Sequence, residues 1–287
     1  MNTVSVVIPT YNRINSLLRA IDSVLQQTYP IYQIIVVDNN STDNTYEILK
    51  NKYSKIEILF ECKQGVSFAR NKGIKFSESD WVALLDSDDA WKPKKIEKQL
   101  LLYENSKKDS RVIHTDELWY KDNVLLNQKK KHKKSGGDIF EKCVKLCCVS
   151  PSSALIRSDL FEDIGHFDET FPACEDYDFW LRVTAREKIL FLDEPLTIKF
   201  GGHDDQLSKK YWGMDRFRVK ALEKLILNHN LNHLQKQIVF NSLITKLEII
   251  TNGAKKRNNQ KIEKIFQKKI KEWELYRIEN ELTEAFK

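Results

Sequence analysis

Nowhere in this chain do about 18 apolar residues run together, and its first residues, MNTVSVVIPTYNR, carry neither a basic stretch nor a long apolar core. Neither a membrane span nor a secretory leader is therefore expected, and the sequence reads as cytoplasmic. Glycine and proline are scarce, 9 and 6 in 287 residues, which excludes collagen-like and linker-rich classes. Cysteine is scarce and odd in number: Cys62, Cys143, Cys147, Cys148 and Cys174. The cluster CVKLCC lacks the paired CxxC and histidine spacing of a zinc site, so reduced thiols are expected. No GxGxxG follows the first strand-like run and no GxxxxGK[ST] occurs, which argues against a dinucleotide fingerprint and a phosphate-binding P-loop.

What the chain does have is charge, unevenly spread. Residues 1–205 hold 29 basic and 32 acidic side chains, whereas residues 206–287 hold 18 and 9. A basic tail on a mildly acidic body suits an anionic surface or partner, although solvated helix faces produce the same count.

Hydrophobic periodicity supplies the architecture. VSVVIP (4–9), QIIVVD (33–38), IEILF (56–60) and WVALLD (81–86) are β-branched or apolar runs of strand length. Between them, NSLLRAIDSVLQQ from Asn15 places Leu17, Leu18, Ile21, Val24 and Leu25 on one helical face. DNTYEILKNKY (43–53) and VSFARNKGIKF (66–76) are also helical. Alternation of this kind predicts an α/β fold with a mostly parallel sheet flanked by helices. Past residue 110 the pattern changes. RVIHTDELWY is strand-like, NQKKKHKKSGGD (127–138) a basic loop, SSALIRSDLFEDIG a strand and helix, EDYDFWLRVTARE (175–187) a helix, and ILFLDEPLTIKF one or two strands. From Trp212 the period is helical, broken near 251–260, giving two or three basic amphipathic helices. The expected organisation is a catalytic domain over 1–205, with halves 1–110 and 111–205, and a helical extension over 206–287.

In an open α/β sheet, ligands bind outside the carboxyl ends of the strands. Here those ends supply PTYNR (9–13), DNNSTDN (38–44) and DSDD (86–89). Asp86, Asp88 and Asp89 repel one another unless a positive charge sits among them. A divalent ion bridging to a diphosphate meets that need, because carboxylates are hard oxygen ligands for Mg²⁺ or Mn²⁺. A turn, or a cap by Asp88 or Asp89 on a helix starting near Pro93, meets it as well.

The order VVIPTYNR, IIVVDNNSTDNT, GVSFARNKGI, WVALLDSDDAW, SPSSALIRSDLFEDIGHFDETF and CEDYDFWLR resembles glycosyltransferase family 2 over roughly residues 3–205. The resemblance implies the GT-A nucleotide-sugar-binding fold and an inverting, metal-dependent glycosyl transfer. It implies that Pro9, Thr10, Tyr11 and Asn12 line the nucleotide pocket and that Asp38 accepts hydrogen bonds from base or ribose. Arg70, beside Asn71, faces the diphosphate and sugar. Asp86, Ser87 and Asp88 form the DxD segment, with Asp88 the direct metal ligand, Asp86 a ribose or water-mediated contact, and Asp89 outside the motif. His203, in FGGHDDQLS, is the second metal ligand for Mn²⁺ or Mg²⁺. The acid pair is Glu175 and Asp176, with Asp176 the expected base and Glu175 aligning acceptor or sugar, an assignment that can be exchanged. Trp91 and Trp180 are sugar platforms or core residues.

A nucleotide-sugar donor, most commonly a UDP-sugar, and a glycan or lipid-linked acceptor are the implied partners, with no nucleic acid. The basic loop and basic helices suit peripheral membrane association or a homodimer. Two other functions stay open: nucleotidyl transfer to a sugar phosphate, whose usual Gly-rich basic N-terminal segment is missing from VSVVIPTYNR, and a noncatalytic nucleotide-sugar-binding partner.

Overall fold

The computed structural model describes residues 2–122, 124–202 and 211–285. The chain divides into two compact units, Met1–Gln206 and Leu207–Lys287.

In the first unit, β1 (Val4–Thr10), β2 (Gln33–Asp38), β3 (Glu57–Phe60) and β4 (Trp81–Leu84) form a parallel block in the order β3-β2-β1-β4. Every residue of β1 and β4 is buried, as their unbroken apolar runs require, because a parallel sheet is covered on both faces. Helix α1 (Ile14–Leu25) covers one face, packing Leu17 and Ile21 with Val6, Ile8 and Val36. Leu25 falls off that buried stripe and is exposed. Helix α2 (Thr45–Lys52) adds Leu49 to the same cluster. Helix α3 (Val66–Phe76) covers the other face, where Ala69 and Ile74 pack with Val7, Val37 and Leu84.

The approach of α3 to the sheet depends on Gly73. A Cβ built there would lie 2.4 Å from Val7 Cγ1 and 3.1 Å from Val37 Cγ2, both in the rigid core. Gly73→Ala is expected to destabilise the unit by about 2 kcal/mol or more despite the better helix propensity of alanine, because overpacking a filled core costs more than propensity returns. Urea unfolding of the two proteins checks this; equal midpoints would show that α3 stands further from β1 than described.

The parallel pattern stops at β4. The unit continues through β5 (Ala90–Trp91), α4 (Lys95–Glu104), β6 (Val112–Lys121), β7 (Val124–Leu126), α5 (Phe140–Lys145), β8 (Ala154–Arg157), α6 (Leu160–Ile164), α7 (Glu175–Thr184) and β9 (Leu190–Gly201). Strand β8 lies antiparallel between β4 and β6, β6 runs parallel to β9, and β5 and β7 add antiparallel to β9 and β6. The α/β expectation is met, but the sheet is mixed: β1–β4 form an all-parallel block, and beyond it β6 and β9 pair in parallel among antiparallel neighbours. Because β8 opposes both neighbours, β6 and β9 point the same way as β4, and their carboxyl ends emerge at the same sheet edge.

The second unit is helical: α8 (Asp215–Asn228), α9 (His233–Lys256) and α10 (Gln260–Ala285). Asn232 and Gln235 form a reciprocal capping box at the start of α9, and the break before α10 falls at residues 257–259. Among the described residues no helix is long and apolar enough to cross a membrane.

Candidate active site

The β1 and β2 ends are level, Pro9 opposite Val37 and Thr10 opposite Asp38, so their loops leave the sheet together. Asn12, at φ +50°, zips them: its backbone N–H donates to Ser41 Oγ (3.0 Å), and its Oδ1 accepts from Thr42 N–H (2.7 Å). The Ile14 N–H donates to Asp43 Oδ2 at 3.1 Å. Asn12 thus spends its side-chain oxygen on loop structure, while Tyr11 beside it is exposed. Thr10 presents a buried Oγ1 with no hydrogen-bond partner among the described residues. Asp38 is buried and uses Oδ1 to accept from the Ser41 N–H at 2.9 Å, a turn role that leaves lone pairs for a further donor. Its neighbour Asn39 ties the β2 end to the approach to α3. It donates to the carbonyls of Glu61 (2.9 Å) and Lys63 (2.7 Å) and accepts from the Gly65 N–H (2.8 Å).

The charge among the three aspartates is supplied by three side-chain cations. Arg13 Nη1 meets Asp88 Oδ2 at 2.6 Å, Arg70 Nη2 meets Asp86 Oδ1 at 2.6 Å, and Lys199 Nζ meets Asp89 Oδ2 at 2.8 Å. Arg19 adds a bond to the Asp88 carbonyl at 2.8 Å while its guanidinium lies 3.8 Å over the Phe200 ring. Sheet register explains Lys199. The β5–β9 pairing of Ala90 with Ile198 and Trp91 with Thr197 brings the next position, Lys199, opposite Asp89. Ser152 links the trio from below, donating to Asp89 Oδ2 (2.6 Å) and accepting from the Asp86 N–H (3.1 Å). Neither Asp88 nor Asp89 caps a helix, since α4 begins after Lys94.

These surroundings split the trio. Burial opposes ionisation of Asp86, but Arg70, with Lys199 and Arg13, overcomes it and holds the carboxyl below its ordinary range. At Asp89 burial wins, aided by the charges of Asp88 and Asp86 against the pull of Lys199, and pushes it up to about 7. Ser87 is buried between them.

Arg70 reaches across the sheet as well. Its second nitrogen, Nη1, donates to Glu175 Oε1 at 2.6 Å, so one buried guanidinium joins the β4 end to the first turn of α7. Burial pushes Glu175 up to about 7, with Arg70 pulling down and the Asp176 charge pushing up. Asp176 is half-buried. Its Oδ1 accepts from the Tyr177 N–H (2.7 Å), and its Oδ2 lies 3.5 Å from Cys147 Sγ. The αL conformation of Cys174, φ +62°, turns the chain into α7 just before the pair, a geometry uncommon for a residue with a Cβ.

Other candidates sit elsewhere. Asn71 is buried and clamps the 167–169 loop, donating to Phe167 O and Glu169 Oε1 and accepting from the Phe167 N–H. Asp178 is buried against Arg182 at 3.0 Å. Trp180 packs in the core on Phe179, and Trp91 is buried with its Nε1 on the Ser152 carbonyl, so neither is a sugar platform. His203 lies outside the described residues. Among the described residues no group of three or more His, Cys, Asp or Glu side chains is placed to hold a metal. Asp88, near the surface and with one oxygen engaged by Arg13, fits the sparse protein ligation of a Mg²⁺-type ion that takes its remaining oxygens from phosphate and water.

A parallel half-sheet that presents carboxylates at its strand ends, continued by a mixed half with an acid pair at the start of α7, is the GT-A architecture. The glycosyl transferase family 2 model matches residues 5–165, and the chain belongs to that family. An uncharacterized glycosyltransferase of Rickettsia felis is 31% identical over 214 residues, 72% of this chain and 32% of the relative, so the chain spans about a third of that protein's length. The Escherichia coli UDP-Glc:alpha-D-GlcNAc-diphosphoundecaprenol beta-1,3-glucosyltransferase WfgD is 29% identical over 188 residues, 65% of this chain and 71% of that one. Among solved structures, S. aureus TarS 1–349 in complex with UDP-GlcNAc superposes with a TM-score of 0.71 at 22% identity, covering 88% of this chain and 75% of that one.

Proposed function

We propose that the chain is an inverting glycosyltransferase that moves a sugar from a nucleoside diphosphate, UDP in the first instance, to a hydroxyl of a glycan or lipid-linked acceptor. Surface polysaccharide or glycoconjugate assembly on the cytoplasmic side belongs to the same reading. The observation that carries it is the Arg70 bridge, which sets the Asp86 end of the donor edge beside the Glu175–Asp176 pair. The UDP-sugar named for the E. coli relative and the UDP-GlcNAc held by TarS support the choice of nucleotide.

In this reading Thr10, Tyr11 and Asp38 take the nucleoside, and Asp86, Ser87 and Asp88 face ribose and diphosphate. Asp176 accepts the acceptor hydroxyl proton as that oxygen bonds to the anomeric carbon. The bond from that carbon to the diphosphate oxygen breaks on the opposite face and leaves its electron pair on the nucleoside diphosphate, so no enzyme-bound intermediate forms. Asp88, with His203, would hold a Mn²⁺ or Mg²⁺ ion, which supplies positive charge to the diphosphate. Glu175, fixed by Arg70, aligns the reactants and is the weaker candidate for base because its carboxyl is buried in an ion pair.

A thermal-shift panel of UDP-, GDP- and dTDP-sugars with Mn²⁺ tests the donor, and product analysis tests the class. Nucleoside diphosphate is the expected product, whereas pyrophosphate would convert the reading to nucleotidyl transfer. Asp88→Ala is expected to weaken Mn²⁺-dependent donor binding by about tenfold or more, in line with the cost of losing a charge-assisted contact. Unchanged affinity in calorimetry would remove Asp88 from the metal site.

A further inference from the structure

Strand β7 joins β6 in the sheet at the site edge, and it is apolar yet exposed. Val124, Leu125 and Leu126 are 63%, 51% and 42% accessible, on consecutive positions that point to both faces of the ribbon. A lone exposed leucine needs no explanation, but three consecutive exposed apolar residues on one strand do.

Basic side chains are fastened beside them. Trp119, opposite Leu126 in the hairpin, contacts the His132 ring at 5.2 Å between centroids. Gln128 Nε2 donates to the Glu117 carbonyl at 2.7 Å, and Lys134 Nζ pairs with Glu117 Oε2 at 3.4 Å. Lys134 is thereby drawn inside, contrary to a uniformly solvated loop. Lys129, Lys130, Lys131 and Lys133 remain exposed, and no acidic residue occurs from 124 to 137. The positive field is strong enough that Lys131, Lys134 and Lys129 add to burial in holding His132 below its ordinary pKa.

We propose that the β7 tip and the lysines 129–133 form one docking surface for an anionic lipid bilayer, with Val124, Leu125 and Leu126 entering the headgroup region and the lysines meeting lipid phosphates. An apolar tip flanked by cations matches the two components of interfacial binding, buried apolar area and attraction to anionic lipid. The surface sits at the carboxyl ends of β6 and β9, the edge that also carries Asp38, Asp86 and Asp88, so docking presents the site to an acceptor held in the membrane. This gives the lipid-linked alternative of the proposed function a physical basis, and it rests on that function only for the identity of what the membrane delivers.

Vesicle sedimentation tests it, using phosphatidylcholine alone and mixed with phosphatidylglycerol, at low and high salt. The protein is expected to sediment with mixed vesicles at low salt and to be released by high salt. Each lysine near an anionic surface strengthens binding by about fivefold, so Lys130→Gln/Lys131→Gln/Lys133→Gln is expected to weaken partitioning by about 100-fold. Val124→Ser/Leu125→Ser/Leu126→Ser should weaken binding at both salt concentrations, and its UDP-induced thermal shift should equal that of the parent. Failure of the parent to bind mixed vesicles overturns the proposal. So does retention of binding by both variants, or binding to a soluble polyanion with no binding to vesicles. The UDP shift reads the transferase assignment separately, so loss of one does not imply loss of the other.

Discussion

Asp176→Asn is expected to lower the rate of sugar transfer by about 10²–10⁴-fold while leaving donor affinity within a factor of about two, the signature of a general base. The substitution is close to isosteric, and the Tyr177 N–H still finds the amide oxygen. The Cys147 thiol, which donates to Oδ2, loses that weak acceptor and keeps the Val149 carbonyl. The lost property is proton affinity at an oxygen that stands half-open at the start of α7. Release of nucleoside diphosphate in the presence of acceptor measures the rate, and calorimetric titration with donor measures binding. Near-wild-type turnover would move the base to Glu175. That exchange makes its own pH prediction, because a Glu175 carboxyl pushed up to about 7 would give an activity limb near neutrality.

The first half of the fold was legible because parallel strands buried on both faces leave contiguous apolar runs. VSVVIP, QIIVVD and WVALLD became β1, β2 and β4 within two residues, and VSFARNKGIKF became α3 with the same bounds. The second half was harder. Half-buried β9 and the bulged β6–β9 register near Asp116 follow from partners far apart in sequence, and no local period encodes them. The site divided in the same way. Carboxylates following strands announce themselves, whereas the cations that balance them do not. Arg13 stood inside the quoted PTYNR segment, but its pairing with Asp88 depends on the β1–β4 alignment. In sequence Lys199 is one polar position in TIKF, and the register of β5 is what places it opposite Asp89. The aspartate repulsion that first suggested a metal is therefore met, within the protein, by guanidinium and ammonium groups. The metal assignment rests on the chemistry of Asp88 and phosphate.

Arg70 carries the second large effect. Its guanidinium is buried, forms two 2.6 Å ion pairs, and leaves Nε without a partner among the described residues, so its placement is dictated by Asp86 and Glu175 and not by its own solvation. Arg70→Ala strands Glu175, itself almost fully buried, beside Asp176 with no counter-charge. Breaking a buried pair from one side typically costs about 3–5 kcal/mol, which for a unit of this size lowers the melting temperature by about 10 °C. The sign of the pH dependence follows. Without Arg70 the Glu175 carboxyl is raised further above its unfolded value, so the variant binds that proton more tightly when folded. It is relatively most stable in acid and loses stability as pH rises through the folded value. Adding Glu175→Gln removes the stranded charge, and the double variant is expected to recover most of the stability at neutral pH without recovering transfer, since Asp86 still lacks its donor. Thermal melts at acidic and neutral pH, paired with product release, separate the two contributions. If Arg70→Ala melted like the parent at both pH values, the bridge would be a surface contact, and the link between donor edge and acid pair would have to lie elsewhere.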